Sequence, residues 1–76
     1  MSVRVIFFGM IAAKLGRREC ALPFDEGMTL AQLVSEVGCG DFKPLLLAVN
    51  QQQENDLNRV IKSGDEVAIM PPFAGG

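Results

Sequence analysis

Few residues in this sequence could do chemistry. The group that stands out is the carboxylate that closes Pro71-Pro72-Phe73-Ala74-Gly75-Gly76. The two prolines hold φ near ~−65° and offer no N–H, so they stop a strand and stiffen the residues after it. Gly75 and Gly76 have no Cβ, so such a tip fits a channel that excludes side chains. Fully extended, this segment reaches roughly 20 Å at ~3.3 Å per residue, far enough to enter a second protein's active site. A terminal carboxylate with a pKa near ~3.5 is ionised at neutral pH and is a poor acyl donor. It must first be activated, for example as a mixed anhydride with AMP. The chain shows no phosphate-binding loop, so that step falls to another protein. The alternative is a tail with no role, since chain ends commonly fray.

The other candidates are weaker. There is no histidine, which removes the usual general base near neutral pH and the commonest metal ligand. Two cysteines, Cys20 and Cys39, cannot alone hold a structural zinc or an iron–sulfur cluster. Cys20 falls in an apolar strand and reads as a small buried hydrophobe. Cys39 lies between Gly38 and Gly40 and is expected to be exposed, with no neighbour that would clearly lower its pKa. Two unpaired thiols fit a reducing cytoplasm. No Ser-His-Asp set, Cys-His pair or metal constellation occurs. Asp65 and Glu66 are adjacent, so on a strand they point to opposite faces and cannot act as an acid/base pair. Asp25-Glu26 read as a solvated turn and Arg17-Arg18 as a solvated strand start, with docking as the alternative for each.

Composition narrows the function classes further. At 49% hydrophobic and 21% charged, the 76 residues are expected to form one small globular domain with a modest core. A net charge of −2 argues against nucleic-acid binding, which calls for a basic face. Tyr and Trp are absent, so a platform for stacked bases is not expected either. A mildly acidic chain suits docking on a basic protein surface. The opening segment to Ala13 faintly resembles a signal peptide, but Gly9 interrupts it and no good cleavage site comes after it. No run approaches the ~20 apolar residues of a membrane span.

These groups need a scaffold, and the hydrophobic pattern supplies one. Val3 to Phe8 is β-branched and aromatic, ends at Gly9 and reads as an interior strand covered at least in part on both faces. Met10 to Leu15 reads as a short helix closed by Gly16. Arg18 to Phe24 is the next strand, with Cys20, Leu22 and Phe24 on one face and Pro23 marking its end or an edge. Thr29 and Gln32 form a capping box for a helix whose Leu30, Leu33, Val34 and Val37 make one buried stripe, stopped by Gly38. Leu45 to Asn50 is a short apolar strand, with the polar run Gln51-Gln52-Gln53 after it. Asp56 to Ile61 is expected to make one or two helical turns with Leu57, Val60 and Ile61 facing inward. Lys62 to Asp65 is a turn and Glu66 to Met70 the last strand. One main helix must then cover a sheet built from both ends of the chain, a two-layer α+β arrangement.

Three stretches carry a resemblance. They are Val5-Ile6-Phe7-Phe8-Gly9 leading to Leu15-Gly16, Leu47-Ala48-Val49-Asn50, and Ser63-Gly64-Asp65-Glu66-Val67-Ala68 running into the terminal segment. Together they resemble the small subunit of molybdopterin synthase, a MoaD-like sulfur carrier of the ubiquitin-like β-grasp family. The likeness spans the whole chain, residues 1–76, with 70–76 as an extended tail. The thiamine-pathway sulfur carrier shares the fold and the Gly-Gly and remains the nearest alternative. A ubiquitin-like modifier joined to proteins through Gly76 is another.

The resemblance implies a mixed sheet clasping the main helix, with the first and last strands adjacent and parallel. It implies that Gly76 is adenylated, converted to a thiocarboxylate and used to give sulfur to cyclic pyranopterin monophosphate. Gly75, Ala74, Phe73, Pro72 and Pro71 would insert into the partner. Phe7, Phe8 and Met70 would lie at the interface, with one of the two phenylalanines in the core. The implied partners are the catalytic large subunit in a heterotetramer, a ubiquitin-activating-like adenylyltransferase that uses ATP, and a sulfur-donating enzyme. No metal or stably bound cofactor, no nucleic acid and no membrane is implied. The small subunit alone would not be active, and its place would be the cytoplasm.

Overall fold

The computed structural model describes residues 2–40 and 45–71. In chain order its elements are β1 (Ser2–Phe7), α1 (Gly9–Leu15), β2 (Glu19–Pro23), α2 (Leu30–Glu36), β3 (Leu46–Val49), β4 (Gln52–Gln53) and β5 (Glu66–Met70). The strands form one sheet in the order β2-β1-β5-β3-β4. β1 and β5 run parallel, with Val5 opposite Val67 and Phe7 opposite Ile69, and the other pairs are antiparallel. The two ends of the described chain therefore meet in the interior of the sheet, as the α+β reading requires.

One face of the sheet carries the core. Val3, Val5 and Phe7 of β1, Leu47 and Val49 of β3, and Val67 and Ile69 of β5 pack with Leu30, Leu33 and Val34 of α2 and Ile11 of α1. Cys20, Leu22 and Phe24 pack against this cluster from the β2 side, on the single face their spacing indicates. The other face is open: Arg4 is exposed and Ile6 half-buried. β1 is thus an interior strand, but helices cover only one of its faces.

The ends of α2 obey local rules. Thr29 Oγ1 accepts from the Gln32 amide at 3.2 Å, and Gln32 Oε1 accepts from the Thr29 amide at 2.9 Å, completing the capping box. At the other end Gly38 takes a φ of +88°, which favours glycine. The Cys39 amide then donates to Val34 O at 2.9 Å and the Gly38 amide to Ser35 O at 3.1 Å. This is a Schellman closure, whose last residue folds back onto the helix's apolar side. Cys39 is accordingly fully buried, not exposed as its flanking glycines suggested. Burial pushes its thiol pKa up, and the proximity of Cys20 adds to this against a smaller opposing effect of Arg17.

Two further expectations are corrected. The polar run after β3 is a hairpin: Asn50 and Gln51 both take positive φ, 52° and 70°, and Gln52–Gln53 pair back as β4. Two left-handed residues in a row match the hairpin twist, but the second usually is glycine, so Gln51 conceals the signal. Residues 56–61 are not helical. The Asp56 and Asn58 amides donate instead to the side chains of Glu54 and Asp56. The carbonyls of Leu57 and Arg59 accept from the Ala31 and Leu30 amides at 3.0 and 2.9 Å. Those amides belong to the first turn of α2 and have no partner within the helix. The segment thus caps α2 with its own backbone, and Thr29 and Val60 form a bridge. Ile61 is buried as expected, but Leu57 is 48% and Val60 53% exposed.

Candidate functional site at the root of the tail

β1 and β5 leave the sheet at the same end, so their last residues become neighbours. The Phe8 amide donates to Ile69 O at 3.1 Å, extending the parallel pairing by one residue. Alternation then separates two adjacent aromatics. Phe7 faces the helices and is 2% exposed, whereas Phe8 is 46% exposed. Phe7 is the core residue and Phe8 the one free for contact. Above Phe7, the Arg17 guanidinium lies 5.8 Å from the ring centre.

Gly9 comes next with a φ of +57°, and a Cβ placed there would come within 3.2 Å of Pro71 Cγ. The start of α1 and the exit of β5 thus touch where only a glycine fits without displacement. Gly9 is the first residue of a short helix, and Met10 beside it is 62% exposed. Met70 and Pro71 are half-buried, and Met70 pairs with Leu46 of β3. On the open face Ile6 stands opposite Ala68, and Ala68 opposite Ala48. The register therefore gathers Phe8, Met70, Leu46, Ile6, Ala68 and Ala48 into an apolar area around the sheet's exit.

Charges border this area, with Glu19 opposite Ile6 across β1 and β2. The Arg4 Nε–Glu19 Oε2 pair, 3.0 Å across β1 and β2, lies on the exposed side of the sheet. At the opposite end of the sheet, Asp65 Oδ1 accepts from Asn50 Nδ2 at 3.0 Å and Asp65 Oδ2 from the Lys62 amide at 2.9 Å. Burial pushes the Asp65 carboxyl up, but these hydrogen bonds, with Arg59 and Lys62 nearby, more than offset it and hold its pKa below the usual value. Asn50 Oδ1 accepts from the Glu66 amide at 3.0 Å, so this cluster ties the β3–β4 turn to the start of β5. Its acid has a structural partner on each oxygen and does not face the apolar area.

Phe8 and Met10 are the large apolar side chains left exposed beside this area. Among the described residues no group of three or more His, Cys, Asp or Glu could hold a metal ion. Of the residues singled out in the sequence, the structure brings together Phe8, Met70 and Pro71 and assigns Phe7 to the core. Pro72, Phe73, Ala74, Gly75 and Gly76 lie outside the described residues. Leu46, Met10, Ile6, Ala68 and Ala48 join the site without a signal of their own in the sequence. The cross-strand register places Leu46, Ile6, Ala68 and Ala48 there and the start of α1 places Met10, although the shared face of Ile6 and Phe8 is legible from their spacing.

The geometry agrees with the chain's similarities to known proteins. Residues 5–76 match the ThiS family. The chain belongs to the ThiS family. Its curated relatives include the molybdopterin synthase sulfur carrier subunits of Chlamydomonas reinhardtii and Caenorhabditis elegans. The first is 30% identical over 100% of both chains, and the second 29% identical over 100% of this chain and 99% of the relative. In fold this ThiS-family chain resembles SAMP1 of Haloferax volcanii, with a TM-score of 0.81 at 23% identity over 100% of both chains. It also resembles a chain in the complex of subunits 1 and 2 of the molybdopterin-converting factor from Helicobacter pylori, with a TM-score of 0.66 at 24% identity over 100% of both chains. The fold is the ubiquitin-like β-grasp of sulfur carriers and small modifiers. No helix among the described residues is long and apolar enough to cross a membrane.

Proposed function

We propose that this ThiS-family chain is the sulfur-carrier small subunit of a molybdopterin synthase. The observation that carries the reading is the parallel β1–β5 pairing, which sets exposed Phe8 level with Met70 and Gly9 against Pro71, where the sequence runs on to Gly75-Gly76. An apolar docking area at the root of a side-chain-free tip suits delivery into another protein's active site. The full-length similarity to two molybdopterin synthase sulfur carrier subunits supports the choice of pathway over thiamine synthesis.

In this reading an adenylyltransferase joins the Gly76 carboxylate to the AMP portion of ATP and releases pyrophosphate. Sulfide-level sulfur from a sulfur-donating enzyme then attacks the acyl carbon, AMP leaves as its C–O bond breaks, and a thiocarboxylate remains. Phe8, Met70 and Pro71 dock the carrier on the large subunit. Phe73, Ala74 and Gly75 give the tip its width and contacts, and Gly76 brings the sulfur to cyclic pyranopterin monophosphate. Acids, bases and the pterin pocket belong to the large subunit. The carrier binds no cofactor of its own, and free thiols at Cys20 and Cys39 suit a cytoplasmic setting.

The test is mass spectrometry of the C-terminal peptide after incubation with the adenylyltransferase, ATP and a sulfur donor. The expected gain equals one oxygen exchanged for sulfur. Removing Gly76 should abolish sulfur transfer to the pterin while leaving thermal unfolding unchanged. Transfer by the truncated chain would overturn the proposal. Gly76-dependent isopeptide adducts on other proteins, without transfer to the pterin, would identify a modifier instead.

A further inference from the structure

Beside Phe8 runs a cleft between the end of β1, α1 and the start of β2. Its lining includes Phe8, Gly9, Ala12, Arg17, Arg18 and one acid, Glu19. Its two arginines outnumber its one acid, in a chain whose net charge is −2. Lys14, in the last turn of α1, and Arg17 and Arg18 just after it are three of the seven Lys and Arg residues in a chain of net charge −2. Arg17 and Arg18 are exposed, and neither forms an ion pair among the described residues. Glu19, the acid in the lining, is already paired with Arg4 at 3.0 Å. Arg17 is positioned by its contact with the Phe7 ring, so its guanidinium is partly ordered before any partner arrives. A cationic pair beside an exposed aromatic fits a segment that carries acid next to an apolar side chain.

We infer that the Arg17/Arg18 cleft docks an acidic-apolar segment of the protein that receives the tail, and that it sets the rate and orientation of that encounter. This rests on the sulfur-carrier reading, since it makes the large synthase subunit the partner. Phe8 anchors the contact, and the two arginines steer it. Charged residues at the margin of an interface act mainly on association rate and salt dependence.

The experiment measures association and dissociation rates of the full chain with purified molybdopterin synthase large subunit at ~50 and ~300 mM salt, which shortens the screening length from about 14 to about 6 Å. Replacing both arginines, Arg17→Gln with Arg18→Gln, should lower the association rate about tenfold at low salt and flatten its salt dependence. The dissociation rate should change less. Lys62→Gln, an exposed charge at the far end of the sheet, should leave all rates unchanged. A Gln pair that associates like the unaltered chain would overturn the inference and leave the sulfur-carrier reading standing. An unaltered chain that does not bind the large subunit would overturn both. Should the double variant melt early, Arg18→Gln alone, which spares the ring contact, is read by the same criteria.

Discussion

The two faces of the β-sheet use the same strands for different ends. The covered face holds Val3, Val5, Phe7, Val67 and Ile69 against α1 and α2, and all five are buried. The open face holds Arg4, Ile6, Ala68 and Met70, and Phe8 stands at the exit from β1. Both faces are apolar near the tail, but only one is filled. Apolar area already removed from water stabilises the fold, whereas apolar area still in water is available to stabilise a complex. Phe7 and Phe8 put that difference on adjacent residues of one type.

The largest expected effect tests the covered side. A domain of this length is stable by about 4–11 kcal/mol, and Phe7→Ala should remove about 3–4 kcal/mol of it through a cavity under α1. Urea unfolding measures this. A loss below ~1 kcal/mol would show that the covered face is not the one that holds the fold. Next comes Phe8→Ala. It should weaken binding to the large subunit by roughly 30-fold, about 2 kcal/mol, while shifting unfolding by less than ~1 kcal/mol. Titration calorimetry and the same urea curve decide it. If both phenylalanine variants lose stability equally, the two faces are not functionally distinct.

The smallest effect sharpens the comparison at the sheet's far end. Asp65→Ala removes the acceptor of Asn50 and Lys62 and should cost about 1–2 kcal/mol at neutral pH, with no change in partner affinity. Because the folded-state pKa of Asp65 is depressed, its contribution is fully present above the ordinary aspartate value near ~3.9 and fades as pH falls through the lower folded value. The alanine variant should therefore lose less further stability than the unaltered chain on acidification below about pH 4. Parallel acid limbs in chemical denaturation would assign the Asp65 contribution elsewhere.

Much of this architecture was legible in short stretches of sequence. The capping box, the buried stripe of α2, the boundaries of β5 and the Gly16 and Gly38 stops each depend on residues within a turn or two of one another. Local rules failed where a distant partner overrode them. Residues 57–60 look periodic, but the carbonyls of Leu57 and Arg59 satisfy the first turn of α2, and Leu57 and Val60 are left outside. Gln51 adopts a left-handed conformation that its residue type does not advertise. Cys39 is buried because the Gly38 closure turns the next residue inward, which its flanking glycines do not advertise.

The same division applies to function. The sequence alone nominates the Gly76 carboxylate as the candidate reactive group, since the chain has no histidine and only two cysteines. It also determined that Phe7 and Phe8 point oppositely, because strand geometry alternates. Which of the two faces the core, and that Phe8 then lies level with Met70, next to the Gly9–Pro71 approach and the Arg17/Arg18 cleft, was decided only by the tertiary structure. Parallel pairing of β1 with β5 joins residues about sixty positions apart in sequence, and no local preference encodes a register across that distance.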